Sequence, residues 1–92
     1  MEKKLKILIV DGDVSEAEIL ESRLQKDFDV MNPVFDGVRA VEEIKKQLPD
    51  VVLVDIMLPQ IDGIGVIEKC REQMGYEQLP AFRSEERREG KE

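Results

Sequence analysis

Residues 51–63 read VVLVDIMLPQIDG. Four apolar residues run without a polar break, so the strand they predict is buried on both faces. That is the habit of a parallel sheet covered by helices on either side. The run ends on Asp55, and a loop follows with Pro59 four residues further on and Gly63 eight further on. Asp62 is placed to cap a helix. Ile67, Cys70 and Met74 then recur at helical spacing, and Gly75 suits the helix end. An acid at the end of such a strand matters. In open α/β sheets, ligands bind outside the carboxyl ends of the strands.

Working outward, residues 5–10 (LKILIV) predict a second fully buried strand, and it too runs into acid, Asp11-Gly12-Asp13. Asp13 with Glu16 three residues later reads as a capping box, and Ala17, Leu20 and Leu24 follow at helical spacing. Residues 28–35 (FDVMNPVF) predict another strand. Pro33 cannot donate to a ladder, so that strand belongs at a sheet edge. Asp36-Gly37 turns into a helix with Val41, Ile44 and Leu48 on its buried face, and Pro49 stops it. The order strand, helix, strand, helix, strand, helix predicts an α/β doubly wound parallel sheet. Right-handed crossovers would bring Asp11 and Asp55 to the same carboxyl edge.

After Tyr76 the pattern fails. EQLPAF resembles the approach to a fourth strand, but RSEERREGKE follows, almost wholly charged and without apolar periodicity. The expected organisation is one domain over residues 1–82 and a charged tail over 83–92.

Composition narrows the chemistry. With 92 residues there is room for one domain. There is no His, and Cys70 stands alone, so zinc sites, His-based catalysis and an internal disulfide are excluded. Any metal would be a hard cation held by carboxylates. The formal charge of −7 disfavours nucleic acid as a partner of this segment. No long apolar run or signal-peptide pattern is present, and the expected setting is reducing and cytoplasmic. Cys70 and Met74 are expected in the core.

The two acidic strand ends, the Asp-x-x-x-Pro-x-x-x-Gly loop and the element order together resemble response-regulator receiver domains, over residues 4 to about 82. The resemblance implies a CheY-like, flavodoxin-like fold, here incomplete, with about three strand–helix units and a stub of the fourth strand. It implies that Asp55 accepts a phosphoryl group from a sensor histidine kinase or phosphotransfer protein and that the chain is not an enzyme. It implies Mg²⁺ as cofactor, held by Asp11, Asp55 and the backbone carbonyl of Met57. Membrane is not expected as a partner. DNA binding would belong to an output domain outside this segment.

Three positions depart from the family pattern. An acid normally follows the first Asp directly, and here Gly12 stands there. Asp13 either caps the helix or leans into the pocket as a partial ligand. The Ser or Thr expected at the end of the fourth strand has no clear counterpart, because the chain contains no Thr and Ser84 follows a strand read as too short. The Lys expected at the end of a fifth strand has no counterpart, so the fragment is not expected to be switch-competent. The tail closely resembles the translation of a common sequencing-adapter oligonucleotide, which would make residues 83–92 non-native.

An alternative reading takes Asp11 as the nucleophile and Asp13 as the general acid of a haloacid-dehalogenase-like phosphatase. It leaves the loop after Asp55 unexplained. A third reading treats the acids as caps and turn formers only.

Overall fold

The computed structural model describes residues 4–55, 58 and 61–84. Strand β1 (Lys6–Val10) is followed by helix α1 (Val14–Leu24), β2 (Asp29–Val30), α2 (Gly37–Gln47), β3 (Val51–Val54), α3 (Gly63–Gln73) and β4 (Ala81–Ser84). All pairings are parallel and the strand order is β2-β1-β3-β4. The doubly wound fold is therefore as the alternation of elements predicts.

The β1 strand is buried on both faces because it is central. Leu8 and Val10 point toward α2 and α3, where they pack with Val52 and Val54 of β3 and with Ala40, Val41, Ile44, Val66 and Cys70. Ile7 and Ile9, on the opposite face, are covered from the α1 side, where Ala17 is fully buried. In β3 only Val52 and Val54 are buried, and Val51 and Leu53 are half-buried. Burying each large aliphatic side chain contributes about 1.5–3 kcal/mol, so the α2/α3 side carries most of the apolar stabilisation.

The second strand is shorter than residues 28–35. Ladder pairing covers Asp29 and Val30, and after Pro33 one further bridge joins Val34 to Val10. Pro33 lacks the N–H that a continuous ladder needs, and β2 lies at the sheet edge as its proline requires.

Two helix ends also differ from expectation. Leu48 is not on the buried face of α2. It is the C-cap, left-handed at φ 50°, and 42% exposed. Pro49 directly after it prevents the helix from continuing. At the end of α3, Met74 is an extended C-cap, and Gly75 has φ −68° rather than a left-handed value. A short 3₁₀ turn over Tyr76–Gln78 then leads into β4. That strand includes Arg83 and Ser84 and pairs along all four residues with β3, so it is longer than the stub read from the sequence.

Candidate functional site

The topology sets the site. From β1 the chain crosses to β2 on one side and later returns to β3 on the other. The order therefore reverses between β1 and β3, and their carboxyl ends open a crevice. Val10 and Val54 are register partners, so the next residues, Asp11 and Asp55, leave the sheet side by side. Both backbones are pinned. The Asp11 N–H donates to the Val34 carbonyl at 3.0 Å, and the Asp55 N–H donates to the Val10 carbonyl at 2.8 Å.

Asp11 is only 4% exposed, the one buried charged residue among those described. Its carboxylate Oδ1 accepts the Asp13 N–H at 2.9 Å. Burial pushes its pKa above the usual value. The Asp13 N–H pulls it back in part, and the charges of Asp55, Glu16 and Asp13 push it up again. Asp55 is half-buried.

Asp13 is the N-cap of α1. Its Oδ1 accepts the N–H groups of Ser15 at 3.0 Å and Glu16 at 3.3 Å. The reciprocal half of the capping box is altered, because the Asp13 N–H goes to Asp11. Glu16, read from the sequence only as a capping residue, is half-buried and adds its charge to the acidic edge. The signal for this was present in the spacing, since the Glu of a capping box reaches back toward the N-cap residue, here Asp13 two positions after Asp11.

The arrangement suits a hard cation. Asp11 and Asp55 supply carboxylate oxygens, and the charges of Asp55, Glu16 and Asp13, which add to burial in raising the Asp11 pKa, are ones that a divalent ion would offset. Among the described residues no group of three or more His, Cys, Asp or Glu is gathered for a metal. Carbonyl oxygens and water would have to complete the shell. Met57, expected to give a carbonyl, lies outside the described residues, as does Pro59. Ser84 is the last residue of β4. It pairs with Val54 and shares that residue's side of the sheet.

A parallel α/β sheet with two pinned aspartates at its switch point is an arrangement in which a hard cation could be held by carboxylates. The family model of the response regulator receiver domain matches residues 7–82. The chain belongs to that family, as a receiver domain of the two-component response-regulator type.

Solved structures agree. The signal receiver domain of NarL from Mycobacterium tuberculosis is 29% identical with a TM-score of 0.72, over 90% of this chain and 64% of that one. The receiver domain of sensor histidine kinase PA1611 from Pseudomonas aeruginosa PAO1, with a magnesium ion coordinated in its active site cleft, is 29% identical with a TM-score of 0.70, over 77% and 58%. The BeF3-activated N-terminal receiver domain of RstA from Klebsiella pneumoniae is 38% identical with a TM-score of 0.68, over 76% and 60%. This chain thus spans less than two thirds of each of these structures. No curated protein matches it. None of these findings supports the phosphatase alternative.

Proposed function

We propose that Asp55 is the phosphoacceptor of this chain, taking a phosphoryl group from a phosphohistidine on a sensor kinase or phosphotransfer protein. The observation that carries this is the pair of pinned aspartates at the switch point, one buried and one half-buried. An Asp55 carboxylate oxygen attacks phosphorus. The P–N bond to the donor imidazole breaks, its electron pair leaves with the imidazole, and an acyl phosphate remains on Asp55. The backbone bond from the Asp55 N–H to Val10 keeps the nucleophile at the sheet edge. Asp11, whose carboxylate accepts the Asp13 N–H, would supply an oxygen to a bound cation. Asp11 and Asp55, with the backbone carbonyl of Met57, would hold Mg²⁺, which would supply positive charge to offset that of the incoming phosphoryl group.

On this reading the chain receives one phosphoryl group and does not turn over an external substrate. It works in the cytoplasm with a protein partner. Among the described residues no helix is long and apolar enough to cross a membrane, and the net charge of −7 opposes nucleic acid contact.

The test is incubation with acetyl phosphate and Mg²⁺. One base-labile phosphoryl group is expected on the chain and none on Asp55→Asn. Label that persists in Asp55→Asn and vanishes in Asp11→Asn would overturn the assignment in favour of Asp11 as nucleophile.

A further inference from the structure

We infer that Gly37 and Gly65 form a socket for Ile61, and that this socket fixes the entry into α3 and, through it, the setting of Asp55. Gly37 is the first residue of α2, directly after its cap Asp36, and Gly65 lies in the first turn of α3. A methyl group on Gly37 would collide with the Ile61 carbonyl oxygen and lie 2.7 Å from Ile61 Cβ and 2.9 Å from its carbonyl carbon. A methyl group on Gly65 would collide with Ile61 Cγ2 and lie 3.2 Å from Asp62 Oδ1. That oxygen already accepts the Gly65 N–H at 2.8 Å. The backbone of the loop is thus seated against α2 and its side chain against α3, and Ile61 also packs on the apolar core together with Leu58.

The consequence follows from the other end of the loop. Asp55 is tied to β1 through its N–H. Ile61 ties the exit to two helix starts. Packed interiors have little free volume to absorb an added methyl. A displacement of Ile61 would therefore reach Asp55, six positions earlier in the chain. Gly37, Ile61 and Gly65 touch no reacting atom and are positioning residues. The functional part of the inference rests on the phosphoacceptor reading, whereas the socket itself rests on geometry alone.

The two contacts differ in kind, which makes them separable. On the full chain, Gly65→Ala meets a side-chain carbon, so Ile61→Ala should relieve it. Gly37→Ala meets a backbone oxygen, which Ile61→Ala leaves in place. Three readouts are taken for both single variants and both doubles. They are the ¹H–¹⁵N positions of Asp55, Leu58 and Ile61 without any phosphodonor, the labelling rate from acetyl phosphate with Mg²⁺, and Tm. Each single glycine variant should shift the three amides and slow labelling by about 10- to 100-fold. Adding Ile61→Ala should restore the rate in the Gly65→Ala background and not in the Gly37→Ala background, whatever the order of the Tm values. Unshifted amides in Gly37→Ala, or equal rescue of both glycine variants, would overturn the socket. Failure of the unchanged chain to accept label would overturn the phosphoacceptor reading instead, and the amide pattern would still decide the socket.

Discussion

Asp11 is a carboxylate held where its charge is disfavoured. Its pKa in the folded chain lies above the usual 3.8, chiefly because it is buried. The unfolded chain, with the lower value, gives up this proton first. The stability linked to Asp11 is therefore full below pH 3.8 and is lost as pH rises through the folded value. Asp11→Asn keeps an oxygen that can accept the Asp13 N–H and removes the charge. In a metal chelator at neutral pH this variant should melt above the unchanged chain, and the advantage should vanish in acid. Mg²⁺ should raise the Tm of the unchanged chain and leave that of Asp11→Asn nearly unmoved. Thermal scans at several pH values, with and without Mg²⁺, check both statements. A variant that melts lower at neutral pH in chelator would contradict the burial argument. Gly12 bears on the same charge balance. With one acid fewer beside Asp11, Gly12→Asp should tighten Mg²⁺ binding, measured by titration calorimetry. The rival source of a further ligand is Asp13. Since Asp13 caps α1, Asp13→Ala should lower stability by about 0.5–2 kcal/mol and change Mg²⁺ affinity less than Asp11→Asn does.

At the scale of elements, the three α-helices among the described residues start in the same way. Asp13, Asp36 and Asp62 each turn a side-chain oxygen to N–H groups of the first turn. Such caps satisfy donors that the helix itself leaves open. One of them, Asp13, also adds its charge to the surroundings of Asp11. The helix ends are less well matched. Leu48 is the one non-glycine residue with positive φ among those described. A left-handed conformation costs an L-residue roughly 1–2 kcal/mol. Glycine would remove most of this at an entropic cost of about 0.5–1 kcal/mol, and the 42% exposed side chain has limited contact to lose. Leu48→Gly should therefore stabilise the chain by about 0.5–1 kcal/mol, a Tm rise of roughly 2–8 °C. A fall in Tm would mean that the buried part of Leu48 outweighs its backbone strain.

For the whole molecule, the strand order predicts an order of protection. The β1 strand has ladder partners on both sides and helices on both faces. The β3 strand also has two partners, but Val51 and Leu53 are only half-buried. Among the described residues, β2 and β4 are the edges, and three of the four residues of β4 are exposed. Native-state hydrogen exchange should therefore be slowest at Leu8–Val10, intermediate across β3 and fastest in β4. Exchange in β4 as slow as in β1 would show that this strand opens only with the global transition. The same reasoning makes Ile44 costly to truncate. It is fully buried at the centre of the α2 contact with the sheet, and Ile44→Ala should cost about 2–5 kcal/mol by denaturant titration.

Period and punctuation determined a good deal of this protein. Continuous apolar runs at residues 7–10 and 51–54, bounded by acids, read as inner parallel strands, although one face of the second is only half-buried. The Asp caps and Pro33 placed the helix starts and the edge strand by local chemistry alone. That is why Asp11, Asp55 and their common edge were legible, and with them the family resemblance. Other features depend on contacts between residues far apart in the chain. The fate of the Asp13 N–H was decided by where the Asp11 carboxylate stood after β1 had paired with Val34. The exposure of Leu48 was decided by the left-handed turn that brings β3 back beside β1, which helical periodicity cannot foresee. The length of β4 came from its register with β3, and the same register turned Ser84 to the side of Val54. The seat of Ile61 between Gly37 and Gly65 joins three segments that no local pattern relates. It exists because close packing at the helix starts leaves space for a backbone and a side chain but not for two further methyl groups.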